Sequence, residues 1–158
     1  MDGIVLLKED HKTVNRLFRE FEKTKDTAEP AAKRELVDRI CVELVTHSFI
    51  EETIFYPAAR EGVPDTAEHV LESVEEHHVM AWLLSELRGL DATDATFDAK
   101  VTVLIESVRH HVEEEEKEWF PQVRHVLGRN RLVELGQEMA AAKAKAPSDP
   151  LALSSAAT

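Results

Sequence analysis

The chain reads as all-α, an up-down-up-down four-helix bundle with a short additional C-terminal helix, and three observations predict it. One is a phrase said twice: HSFIEETIFYP at residues 47–57 returns as HVEEEEKEWFP at 111–121, each position mapping onto its counterpart by adding 64. The second is apolar residues recurring at three- and four-residue spacing along four long stretches, as in helices that bury one stripe. The third is composition: 158 residues, 43% apolar and 32% charged, with only 5 Gly and 6 Pro. That length supports one buried core, and so few turn residues argue against many short strands.

The first helix is expected over residues 2–25, where Leu7, His11, Val14, Leu17, Phe18 and Phe21 share a face. DTAEPAAKRE interrupts it, and Pro30 suits the first turn of the next. The second helix, residues 31–60, carries Leu36, Ile40, Leu44, His47 and Glu51 on one stripe and stops at Gly62, Pro64 and Asp65. The third, residues 66–90, carries Val70, Val74, His77, Met80, Leu84 and Leu87. After GLDATDAT comes the fourth, residues 97–127, with Val101, Leu104, Val108, His111 and Glu115. Past Gly128, Leu132, Leu135 and Met139 mark a shorter helix near residues 131–145. The domain reading is a bundle over 1–127, an extra helix over 128–146 and a Ser-, Ala- and Pro-rich disordered tail over 147–158.

A second repeat, offset by 66, relates EDHKTVNRLF (residues 9–18) to EEHHVMAWLL (75–84) and pairs His11 with His77. The order along the chain is therefore His, His-x-x-x-Glu, then the same again. His47 and Glu51 are four apart, within about 40° of each other on a helix, so both reach one point; His111 and Glu115 repeat this. Four imidazoles and two carboxylates in an apolar seam would cost several kcal/mol unless paired. Converging in a bundle core, they suit a pair of first-row metal ions, with the carboxylates bridging and the imidazoles capping the ends. His and Glu accept iron, manganese and zinc alike.

This order, with the FYP and WFP endings, resembles the hemerythrin-like (HHE cation-binding) family over residues 2–127. The resemblance implies a non-haem di-iron centre, two Fe ions with an oxo or hydroxo bridge, in a four-helix bundle. By it, His11, His47, His77 and His111 are ligands and Glu51 and Glu115 are bridging carboxylates. The chain departs from the oxygen carriers of that family, which have a fifth histidine one turn before His77; here Ser73 stands there. The carriers also place the last carboxylate at the position of Glu116, but helical geometry turns Glu116 about 140° from His111, and the repeat selects Glu115.

Tyr56, whose repeat partner is Phe120, has two readings: a phenolate ligand, or a buried aromatic with a satisfied hydroxyl. Nine residues after His47, it falls on the far side of an ideal helix, which favours the second unless Pro57 bends the chain. His78 and His110 read as neighbours of ligands, His69 and His125 as surface residues, and Glu113, Glu114, Glu116 and Glu118 as a solvated face. Cys41, Trp82 and Trp119 read as packing residues. The Glu-x-x-His spacing of ferritin-like proteins occurs once, at Glu75 and His78, without a counterpart on the other helix.

A net charge of −12 argues against nucleic acid and anionic membrane surfaces as partners. One cysteine rules out an intrachain disulfide and a cysteine-built zinc site. With neither a leader nor a membrane span to be read, the expected location is cytoplasmic. The expected partners are small ligands (oxygen, hydrogen peroxide or nitric oxide), with a monomer or homodimer as the assembly. The missing imidazole favours turnover over storage, so peroxide decomposition is the first expectation, with no protein nucleophile required. Reversible oxygen or nitric oxide binding is the second, and a metal-stabilised interaction module the third.

Overall fold

Asp2 opens the first helix: its side chain accepts a hydrogen bond from the Val5 N–H at 2.9 Å, satisfying one free donor of the first turn. In the computed structural model, which describes residues 1–153, that helix (α1) spans Gly3–Thr24. Pro30 starts α2 (Pro30–Ile50), its fixed φ and missing N–H costing nothing at that position. A π-helical turn, Glu51–Phe55, joins α2 to α3 (Tyr56–Gly62). A 3-10 turn, Pro64–Thr66, leads into α4 (Ala67–Arg88). Then come α5 (Phe97–Glu114), a second π-helical turn (Glu115–Trp119) and α6 (Phe120–Ala142). No strand occurs among the described residues. The four long helices of the bundle are α1, α2 continuing into α3, α4, and α5 continuing into the start of α6.

The sequence predicts continuous second and fourth helices, and the π turns are the departure. Each ends one residue before the residue preceding a proline, Pro57 or Pro121. Proline has no N–H to offer the carbonyl four residues back, and its ring crowds that carbonyl. The turn ahead of it widens instead, so that Tyr56 N–H bonds to Glu51 O and Phe120 N–H to Glu115 O, five residues back. The duplicated phrase thus encodes a duplicated backbone irregularity.

Two apolar clusters fill the bundle. One gathers Leu17, Phe18, Phe21, Leu36, Ile40, Leu84, Phe97 and Leu104. The other gathers Ile4, Leu7, Ile50, Phe55, Tyr56, Phe120, Leu132 and Met139. Burying each such large side chain contributes about 1.5–3 kcal/mol. On every long helix a predicted site residue (His11, His47, His77, His111) separates the residues of one cluster from those of the other. The polar site is a layer between two apolar ones.

At one end, Arg34 donates to the Leu87 and Leu90 carbonyls, both at 2.7 Å, and lies over the Phe97 ring, tying α2 to the α4–α5 connection. At the other, Gly128 takes φ 76°, a value that favours glycine, and breaks α6 so that its second part packs on α1. A Cβ on Gly136 would collide with the Met1 carbonyl oxygen and come within 2.9 Å of the Asp2 carbonyl carbon, so glycine is what lets the N-terminus cross there. The sequence predicts a disordered tail from Pro147 on. Instead Pro150 begins a 3-10 turn, and Pro150 and Leu153 are buried, Leu153 within the first cluster. The run Pro150–Leu153 is too short for periodicity to register. Residues 154–158 of that predicted tail lie outside the described residues. Trp119 is buried, but Trp82 is 62% exposed and is not the packing residue expected.

Candidate metal centre

All six predicted residues converge. His11 and His47 face each other through their Nε2 atoms at 3.2 Å, and His77 and His111 do the same at 3.2 Å. Glu51 lies between the pairs, its Oε1 at 3.1 Å from His47 Nε2 and 3.3 Å from His77 Nε2. Glu115 mirrors it, its Oε1 at 2.8 Å from His111 Nε2 and 4.0 Å from His11 Nε2. Both carboxylates are fully buried. Each spans the pairs, as a bridging group must. Two compact triads result, His11–His47–Glu115 and Glu51–His77–His111, with the donor atoms of each within 4.8 Å of one another.

Behind each imidazole stands a carboxylate. His47 Nδ1 faces Asp10 Oδ2 at 3.0 Å, His11 Nδ1 faces Glu116 Oε1 at 3.1 Å, and His111 Nδ1 faces Glu76 Oε1 at 3.3 Å. His77 Nδ1 and Glu52 Oε2, at 3.5 Å, are the loosest of the four. An ionised carboxylate only accepts, so at His11, His47 and His111 the Nδ1 protons point outward and the Nε2 lone pairs point into the centre, whereas His77 Nδ1 and Glu52 are buried without a hydrogen bond. Both oxygens of Glu51 and one of Glu115 are buried without a hydrogen-bond donor. Lone pairs crowded against anionic oxygens are stable only with positive charge among them. Two divalent cations, each taking two imidazoles and sharing the carboxylates, fit that need and the donor chemistry.

The acid–base behaviour shows the same demand. Burial alone would lower the His47 pKa, but Glu51 and Asp10 outweigh it and push it up to about 10. Burial is likewise overcome at His77 by Glu51 and Glu52, and at His111 by Glu115 and Glu76, so both are raised. At His11 burial prevails over Glu116, and the pKa falls. Burial and the neighbouring Glu51 push Glu115 up to about 7, whereas at Glu51 burial yields to the charge and hydrogen bonding of His47 and the pKa is held well below the carboxylate norm. Without metal, protons supply the missing positive charge.

Tyr56 departs from the ideal-helix expectation. The π turn adds one residue and rotates the next stretch of helix back by about 100°, so Tyr56 sits about 80° rather than about 180° from His47. Its hydroxyl lies 3.3 Å from His77 Nε2, 3.4 Å from His111 Nε2 and 3.5 Å from Glu115 Oε2. Burial, Glu115 and Glu51 raise its pKa well above the phenol norm. Its ring stacks on His77 as Phe120 stacks on His11. Ser73 turns toward His69, with Oγ 3.4 Å from Nε2. His69, expected at the surface, is half-buried against Trp119. His78 is half-buried and His110 exposed, and they pair with Glu75 and Glu114.

Sequence reasoning missed the outer carboxylates and placed Glu116 on a solvated face. A signal existed: Asp10 and Glu76 are repeat partners at offset 66, and Glu52 and Glu116 at offset 64, each adjacent to a predicted ligand. A cavity of about 530 Å³ opens between α1 and α5 and reaches all four histidines. Phe18, Leu44, Met80 and Val108 line it, and the exposed Lys12, Arg19 and Lys117 stand at its outer edge.

The hemerythrin HHE cation-binding domain model matches residues 2–123, a segment that holds all six converging residues. The chain belongs to this family. A DNA nickase of Nostoc sp. (strain PCC 7120 / SAG 25.82 / UTEX 2576) is 30% identical over 142 residues, covering 89% of this chain but 38% of that protein. The crystal structure of a hemerythrin HHE cation-binding domain-containing protein from Mycobacterium kansasii superposes with a TM-score of 0.76. The match covers 98% of this chain and 91% of the other at 24% identity, a likeness of fold. No helix among the described residues of this HHE protein is long and apolar enough to cross a membrane.

Proposed function

We propose that this HHE protein holds two iron ions in the paired triads and decomposes hydrogen peroxide. The observation that carries this reading is the matched geometry of two His pairs with Glu51 and Glu115 lying between them, reached by a cavity from the surface. Each ion would take two imidazoles, His11 with His47 and His77 with His111, and share the carboxylates. Bound iron would supply the electrons exchanged when two hydrogen peroxide molecules become two waters and one oxygen molecule, a balance that needs no external reductant.

The chain's own groups do the rest. Glu51 and Glu115, both fully buried between the histidine pairs, would hold the two ions. The Tyr56 hydroxyl lies beside Ser73, which stands where the oxygen carriers have a fifth imidazole, and there it holds a proton at the edge of the centre, 3.3 Å from His77 Nε2 and 3.4 Å from His111 Nε2. Donation into the site favours cleavage over storage. Metal analysis and peroxide consumption measured together test this: two irons per chain and a rate well above that of equal free iron support it. A rate no faster than free iron at full loading overturns it.

The sandwiching of the site between two apolar clusters also suits reversible binding of oxygen or nitric oxide, because it would limit the solvent that reaches a bound metal from those two sides. Oxygen taken up by reduced protein and released unchanged under vacuum would favour that reading. The nickase activity belongs to a protein of which this chain spans 38%, and a net charge of −12 offers little to a phosphate backbone.

A further inference from the structure

The two halves of the centre match closely except at Tyr56, whose repeat partner is Phe120, and where the chain beyond the duplicated segments reaches in. Asp10 and Glu76 are repeat partners, and each accepts the Nδ1 proton of a repeat-related histidine, His47 at 3.0 Å and His111 at 3.3 Å. The other oxygen of Asp10 accepts a hydrogen bond from Lys143 Nζ at 2.6 Å. Among the described residues no lysine or arginine pairs with Glu76. Lys143 begins the 3-10 turn after α6 and lies outside residues 2–123, the segment that the family model matches. Asp10 is 11% exposed and Lys143 34%, so water screens this pair only partly.

A carboxylate that accepts the outer proton of a metal-ligating imidazole makes that imidazole a stronger electron donor. A lysine on the same carboxylate draws the charge back. The opposite half has no such brake, and it has the Tyr56 oxygen beside His77 and His111.

We propose that Lys143 is a positioning residue that makes the two metal positions inequivalent. By neutralising Asp10 it weakens donation from His47, so the His11–His47 position holds the more easily reduced ion and the His77–His111 position the more easily oxidised one. The turn that follows α6 thereby sets the electron distribution of a centre built from two near-identical halves. This inference rests on the di-iron reading of the site.

Iron-loaded wild-type protein, Lys143→Met, Lys143→Arg and Asp10→Asn are compared by metal analysis and by redox titration followed in visible absorption. Lys143→Met is expected to disfavour reduction about tenfold, about 59 mV for a one-electron step. Lys143→Arg keeps the charge and should stay within about twofold of wild type. Asp10→Asn, which removes the anion behind His47, should shift the equilibrium in the opposite direction. An unchanged potential in fully loaded Lys143→Met overturns the proposal, as does a shift of the same sign in Lys143→Met and Asp10→Asn.

A second measurement needs no iron. The imidazole Nδ1–H of His47, followed by proton–nitrogen NMR in metal-free wild type and Lys143→Met, should move downfield when Asp10 regains its full charge. No movement overturns the proposal even where a variant fails to load. If wild type takes up no iron, the di-iron reading fails, while this proton still reports whether Lys143 acts on His47.

Discussion

At the scale of single residues, the six converging side chains have unequal consequences. Glu51 touches both histidine pairs, so Glu51→Ala removes the group shared between the two positions. Metal analysis should then give one ion per chain or fewer, whereas His78→Ala, at a residue paired with Glu75 outside the centre, leaves the content unchanged. Tyr56→Phe imposes on the first repeat the residue the second already has at Phe120. With the ring retained, the expected outcome is wild-type metal content and a peroxide rate roughly tenfold to a hundredfold lower, the usual range for losing a positioned proton donor. Equal rates would make Tyr56 a packing residue only. Asp2 is a different kind of residue, capping α1 and pairing with Arg124 at 3.1 Å. Asp2→Ala should cost about 1 kcal/mol in chemical denaturation at neutral pH. The Asp2 pKa is lowered from 3.8: burial opposes ionisation, but Arg124 and the Val5 N–H prevail. Its ionised form is thus favoured by folding, so the stability it confers is present above pH 3.8 and lost as pH falls through the lowered value. The wild-type and Asp2→Ala curves should converge in acid.

At the scale of elements, the duplicated phrase was legible and its backbone was not. Alternation of apolar and charged residues placed the four long helices, because a stripe repeats at the helical period whatever it packs against. The π turns left no comparable trace. Pro57 and Pro121 signal a disturbance, but whether a helix kinks, stops or widens before proline depends on which option buries Phe55, Tyr56, Trp119 and Phe120. The widened turn won, and it brought Tyr56 to the histidines. The close crossing of α1 by the second part of α6 gives a sharper test. Gly136→Ala puts a methyl where the Met1 carbonyl stands, and the expected cost is roughly 1–3 kcal/mol, measured as a fall in denaturation midpoint. Gly89→Ala, with its nearest neighbour at 3.9 Å, is the control and should change little.

At the scale of the whole molecule, cations in the centre would also hold the bundle together. The centre is the one polar layer between two apolar clusters among the described residues, and its buried carboxylates need cations. Ions that bind only the folded chain stabilise it by mass action, about 4 kcal/mol per site at a thousandfold excess over Kd. Thermal unfolding with and without a strong chelator checks this: the midpoint should drop on metal removal and recover on adding iron. An unchanged midpoint would mean that metal does not occupy the buried site.

By itself the sequence determined the four helices, their long apolar stripes and the six residues that meet, because each of these is a local periodicity and the repeat states it twice. His47 with Glu51, and His111 with Glu115, needed only helical geometry to be read as pairs. The outer carboxylates were written at the same offsets, yet Asp10, Glu52, Glu76 and Glu116 look like any acidic residue on a charged helix until a neighbouring helix brings an imidazole to them. The position of Tyr56 against His77 and His111, and the reach of Lys143 to Asp10 across 133 residues, were decided by tertiary structure alone. Each depends on the relative placement of separate helices, which packing sets and no spacing along one helix records.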